Sequence, residues 1–106
     1  LNKFQTETLE ITTANQTAYT APTGYTSIVL YAHVTNVTTS AATFTMTHVR
    51  SSTATEIVKD ASVPPSDAYI PLEGKLVLET SDSIKIQGSA NSSLKLILSI
   101  LETANA

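Results

Sequence analysis

Apolar residues in this chain recur at every second position, in short runs, and nowhere at the three-to-four spacing of a helix. In TSIVLYAHVTN (26–36) Ile28, Leu30, Ala32 and Val34 share one parity, and in AATFTMTHV (41–49) Ala42, Phe44, Met46 and His48 share one. The pattern resumes with Leu76 and Leu78, then Ile84 and Ile86, then Leu94, Leu96, Leu98 and Ile100. Side chains two apart lie on one face of an extended strand, so each run has a single apolar face that must find cover. Composition agrees: eighteen Thr and twelve Ser accompany only three Gly and no Trp. The β-branched Thr is stiff at its first side-chain torsion and suits the solvated face of a sheet.

The same parity suggests pairings. Val34 opposite Phe44, Ala32 opposite Met46 and Leu30 opposite His48 leave a loop at 37–41. Leu78 opposite Ile84 and Leu76 opposite Ile86 leave a turn at Thr80-Ser81-Asp82, and Ile86 opposite Leu94 with Ile84 opposite Leu96 extends this to a three-stranded meander over 75–101. TETLEI (6–11) alternates weakly. Between the two groups, Ile57-Val58 suggests a short strand, and Pro64, Pro65 and Pro71 exclude a helix or a central strand, which makes that stretch a crossing connection. The expected fold is an all-β antiparallel β-sandwich of about seven or eight short strands, immunoglobulin-like or jelly-roll-like. One domain over 6–102 is expected, with a C-terminal tail at 103–106 outside the strand register and an N-terminal arm at 1–5 that either docks Phe4 on a neighbouring chain or folds back as an edge strand of its own domain.

A chain of 106 residues can bury roughly two-thirds of its unfolded surface in one core. Without Cys it has no disulfide, thiolate metal site or cysteine nucleophile. A net charge of −3 with six scattered Lys and Arg offers no basic stripe, so no nucleic-acid partner is expected. The longest apolar runs, IVLYA and LILSIL, fall far short of the roughly 18–20 residues that span a bilayer, and no membrane partner is expected.

Residues able to do chemistry are few. His48 lies on the core parity and His33 on the opposite face of a different strand, so the two are not expected to meet, and both read as structural. No G-x-S-x-G elbow accompanies the serines, and neither His has an orienting carboxylate nearby in sequence. Asp60, Asp67 and Asp82 fall in turns, where Asp commonly accepts backbone hydrogen bonds, and no calcium-loop pattern occurs. Tyr19, Tyr25, Tyr31 and Tyr69 could form a sugar-stacking platform, but three of them flank turns. No catalytic residue, metal site or cofactor is expected.

One feature exceeds what a lone sandwich needs. Val29 and Tyr31 make the second face of 26–36 apolar as well, and Ile97 and Leu101 do the same for 94–101. A chain this short has no third layer to cover them, so a neighbouring subunit is expected to. Together with Phe4 these residues form the expected interface of a homo-oligomer such as a trimer.

Several segments resemble small virion-associated structural proteins of tailed bacteriophages, of the type found in phages of marine bacteria and cyanobacteria. The likeness runs from Tyr19 to Glu102 and is carried by Val58-Lys59-Asp60 before the prolines, by Glu73-Gly74-Lys75-Leu76-Val77-Leu78-Glu79, and by the closing Ser99-Ile100-Leu101-Glu102. The resemblance implies a non-enzymatic capsid decoration or cement protein, or a neck or tail accessory, located on the virion and partnered by itself and by major capsid, neck or tail proteins. It implies no catalytic residues. The alternative is a ligand- or carbohydrate-binding module of a larger adhesin.

Overall fold

In the computed structural model, which describes residues 2–105, nine strands follow one another and no helix occurs among the described residues. They are β1 (Asn2–Ile11), β2 (Gln16–Thr20), β3 (Tyr25–Asn36), β4 (Ala42–Arg50), β5 (Thr53–Val63), β6 (Ala68–Tyr69), β7 (Leu76–Leu78), β8 (Ser83–Gly88) and β9 (Leu94–Ala104). One sheet, A, has the order β1-β9-β3-β6 with β7 also on β3; the other, B, has the order β2-β8-β4-β5. All pairs are antiparallel.

This order is that of a jelly roll, and a single ribbon accounts for it. The chain doubles back at Ser51-Ser52, where both residues take positive φ (49° and 69°) as a tight two-residue hairpin turn requires. From there β5 runs beside β4, β6 and β7 beside β3, β8 beside β2, and β9 beside β1. Rolling the ribbon up adds two further pairings, β9 with β3 and β8 with β4, and closes two sheets over one core. Of the two strand orders the sequence left open, the structure has the jelly-roll one.

Three expected strand pairings are corrected by this topology. β3 and β4 are not neighbours but lie in opposite sheets, and so do β7 and β8, and β8 and β9, so no meander spans 75–101. The physical reason is simple: parity says which face of a strand is apolar, and two apolar faces can meet side by side or across a sandwich. Val34 and Phe44 share the core either way. The crossing at 37–41 is held by Asn36, which is 1% exposed. Its Nδ2 donates to the Ser40 and Val63 carbonyls (2.8 and 3.1 Å), and its Oδ1 accepts from the Thr38 amide and hydroxyl (2.9 and 2.7 Å). Every hydrogen-bonding position of that buried amide is filled. The short strand expected at Ile57-Val58 is part of the longer β5, an edge strand of eleven residues that begins at Thr53, and the chain crosses to the other sheet only after it, between β5 and β6.

A second correction concerns β3. Val29 pairs with Ile100 and Tyr31 with Ser99, so Leu30 is an inserted residue, a β-bulge. The bulge reverses the strand's parity: Ser27 and Val29 point inward before it, Ala32, Val34 and Asn36 after it. Ile28 and Leu30, expected in the core, are therefore half-buried on the outer side. The parity of β4, β8 and β9 is as expected, and Phe44, Met46, Ile84 and Ile86 from sheet B meet Val29, Val34, Leu96, Leu98 and Ile100 from sheet A in one cluster.

The ends are corrected too. Of the two expectations for residues 1–5, the edge strand holds for 2–5, which begin β1 and pair from Asn2↔Thr103 through Gln5↔Ile100, because β9 extends to Ala104 and offers them a partner. Thr103 and Ala104 of the expected tail belong to β9, and the Asn105 amide donates to the Gly24 carbonyl (2.9 Å). Leu1 of the arm and Ala106 of the tail lie outside the described residues.

Candidate assembly surface

The outer face of sheet A carries a lateral row of apolar side chains, one from each of four adjacent strands. Phe4 on β1 is the register partner of Leu101 on β9, Leu101 of Ile28 on β3, and Ile28 of Val77 on β7. Phe4 is 72% exposed and Val77 51%, while Leu101 and Ile28 are half-buried between them. Next to this row the bulge turns Leu30 toward a shallow groove that Phe4, Thr6 and Ser99 also line. Further along lie Tyr31 (44% exposed), whose ring stacks on His33 at 5.8 Å and 13°, and Ile97 (37% exposed), which pairs with Thr8 on one side and His33 on the other. Oppositely charged Glu10 and Lys95 face each other in register beyond them.

Of the five residues expected at an interface, the structure brings Phe4, Tyr31, Ile97 and Leu101 to this one face. Val29 is the exception and is corrected: it is fully buried in the core, because the bulge at Leu30 separates its parity from that of Tyr31. Ile28, Leu30 and Val77 join the face without having been anticipated. Val77 was legible as the odd residue between Leu76 and Leu78, whereas Ile28 and Leu30 were hidden by the bulge.

Two polar clusters were the other places to look for chemistry. The first joins sheet B to the β7–β8 crossing: Asp82, whose side chain is 3% exposed, accepts from Arg50 Nε (3.0 and 3.1 Å) and Nη2 (2.6 Å) and from the Glu79 amide (2.9 Å), and lies 3.1 Å from His48 Nε2. The Arg50 guanidinium holds the Asp82 carboxyl well below the usual carboxylate range; burial opposes the shift, and the Glu79 amide and His48 add to it. Asp82 in turn raises Arg50. No carboxylate stands near His48 along the chain because its partner lies 34 positions away. All of Asp82's bonds tie segments of the chain together, as a capping carboxylate does.

The second cluster bridges the sheets. The Tyr19 hydroxyl on β2 is shared with Ser27 Oγ (2.7 Å) and donates to the buried Glu102 carboxylate, Ser27 and Glu102 being register partners on β3 and β9. Burial, then the Glu102 carboxylate, pushes the Tyr19 hydroxyl well above its ordinary range. Tyr19 is thus a cross-brace rather than a stacking surface. Tyr25 and Tyr69 are half-buried, Tyr69 with its ring edge-on to Phe44 at 5.5 Å, which leaves Tyr31 as the exposed tyrosine. Among the described residues no group of three or more His, Cys, Asp or Glu is placed to hold a metal ion.

The sequence matches no family model and no curated protein. Among solved structures, the whole chain superposes on a chain of the Bacillus endospore appendages, described as a novel family of disulfide-linked pili, with a TM-score of 0.59 and 9% identity over 88% of that chain. It also superposes over its full length on a chain from infectious bursal disease virus, Gx strain, with a TM-score of 0.56 and 10% identity, spanning 34% of that chain. At such identities the likeness is one of fold.

Proposed function

We propose that this chain is a non-enzymatic structural subunit that works by being held in many copies on a particle, and that the particle is a tailed phage, with a capsid decoration or cement role, or a neck or tail accessory role, on the virion. The observation that carries the assembly reading is the apolar row Phe4–Leu101–Ile28–Val77 with Tyr31 and Ile97 beside it, on a sheet face that no part of the described chain covers. Each such side chain contributes roughly 1.5–3 kcal/mol when fully buried, against an association cost of about 4–15 kcal/mol. A handful of residues barely carries one contact, so a closed oligomer or a multivalent lattice suits the face better than a lone pair. The similar folds of a pilus chain and a virus chain are in keeping with this role, and the segment resemblance to phage virion proteins supports the narrower one.

The test is Ile97→Lys. Its side chain points away from the core, so the circular dichroism spectrum and melting temperature should stay close to wild type. Self-association by size-exclusion chromatography with light scattering, or recovery on purified particles, should be lost. A variant that stays folded and assembles as before refutes the role given to this face. Density for the chain in a reconstruction of a phage particle checks the narrower reading.

A further inference from the structure

A sandwich has four open sheet edges, and three of these are blunted. Sheet A ends on one side in β6 and β7, of two and three residues, with Pro71 between them. Sheet B ends in β2, five residues with a register shift between Thr17 and Tyr19, and in β5, whose ladder is broken twice and which carries Asp60 at a φ of 50°. Short, bulged and twisted edges are how β-proteins avoid pairing with one another. β1 is neither short nor bulged, and only its charged Lys3, Glu7 and Glu10 mark the edge. It runs ten residues with no Pro and no register shift, and among the described residues no backbone group of 2–10 is bonded to anything but β9. Its open edge is a template for another strand.

We propose that β1 pairs antiparallel with β1 of a second copy about a two-fold axis through Gln5. In a self-paired antiparallel ribbon, residues facing each other must share a parity, and few centres are possible. A centre at Glu7 sets Glu7 against Glu7, a centre at Thr6 sets Lys3 against Leu9, and a centre at Leu9 sets Glu7 against Ile11. With the centre at Gln5, Lys3 of each chain faces Glu7 of the other, Phe4 faces Thr6, and Asn2 faces Thr8. Both charges in the overlap then meet the opposite sign, twice over by symmetry. The two Phe4 rings become diagonal neighbours, within reach of each other across the seam. That gives an occupant to the most exposed large apolar side chain of the described residues and joins the two apolar rows into one continuous face. The contact deepens the assembly reading and rests on it, adding a specific seam to the apolar face.

Because the chain has no Cys, the seam can be read by disulfide trapping. In Gln5→Cys the paired residues sit at an opposing pair of β-positions, about 4.5–5.5 Å apart at Cα, which a disulfide spans. In Thr8→Cys the two thiols lie about 20 Å apart. Mild oxidation of the full chain, with folding checked by circular dichroism, should cross-link Gln5→Cys to a dimer at least tenfold faster than Thr8→Cys. Lys3→Glu or Glu7→Lys added to Gln5→Cys should slow cross-linking roughly tenfold, and the two together should restore it. Equal rates for the two cysteine variants, or no restoration by the charge swap, overturn the pairing. Equal rates alongside loss of assembly in Ile97→Lys reject the seam and leave the assembly reading standing. Fast, charge-dependent trapping with assembly unaffected by Ile97→Lys keeps the seam and rejects the role of the outer face.

Discussion

The two sheets present opposite outer faces built on the same plan. Sheet A turns Phe4, Leu101, Ile28, Val77, Tyr31 and Ile97 outward; sheet B turns Thr43, Thr45 and Thr47 of β4, Lys85 and Gln87 of β8, and Glu56 of β5 outward. Both have their inner faces in the same core, sheet A with five strands and sheet B with four. Sheet B shows how little the fold needs on the outside that is apolar: along β4, Val49 alone breaks the row of threonines, with Ala54 as its partner on β5. If the apolar face of sheet A serves association, as proposed, stability and association should come apart when the two faces are perturbed separately.

The largest effect on stability should come from β9 itself, one residue away from the outer face. Leu98 is fully buried and its parity points inward, so Leu98→Ala should cost about 3 kcal/mol by leaving a cavity. Chemical denaturation measures it. At temperatures where the variant stays folded, its association should match wild type. A Leu98→Ala chain that melts normally but fails to associate would invert the assignment of faces.

Asp82 should give the next effect, and again on one axis only. Asp82→Asn keeps the size but loses the charge that Arg50 and the Glu79 amide bind, and should cost about 2 kcal/mol at neutral pH, the half-exposed Arg50 being partly screened. The folded carboxyl titrates below its unfolded value of about 3.9, so its contribution is complete above about pH 4 and is lost as pH falls further. Melting temperatures of wild type and Asp82→Asn should therefore show their full gap at neutral pH and converge as pH falls below 4. A gap that persists undiminished at pH 2.5 would mean that the carboxylate was not what the site held.

How much of this was legible beforehand depended on what period two can report. It identified the inward residues of β4, β8 and β9, and it marked Tyr31, Ile97 and Leu101 as belonging to a second apolar face. It was silent on neighbours, since Leu78 and Ile84 satisfy the same parity whether they form a hairpin or face each other across the core. Nor does period two survive an inserted residue: the bulge at Leu30 sent Val29 inward and Ile28 outward, with no Gly or Pro to announce it. The turn at Ser51-Ser52, from which the roll unwinds, lacks the Asn-Gly signature that makes such turns readable. The Asp82–His48 contact and the Tyr19–Glu102 brace join residues 34 and 83 positions apart, and only the rolled ribbon brings them together.

The smallest expected effect is the matched control for Ile97→Lys. Thr47 occupies on sheet B the place that Ile97 holds on sheet A: an outward position on a central strand, flanked in register by Lys85 on β8 and Glu56 on β5. A Lys there meets one like and one opposite charge, each cross-strand pair being worth roughly 0.2–1 kcal/mol, so the two nearly cancel. Long Lys side chains also reach solvent readily from a half-buried position. Thr47→Lys should thus change stability by no more than about 0.5 kcal/mol and leave association untouched, while Ile97→Lys leaves stability nearly unchanged and abolishes association. Measured together by light scattering and thermal melts, the pair isolates the chemistry of the face from the mere addition of a charge. Loss of association in Thr47→Lys would show that sheet B is also an interface, one that uses its threonine hydroxyls rather than apolar burial.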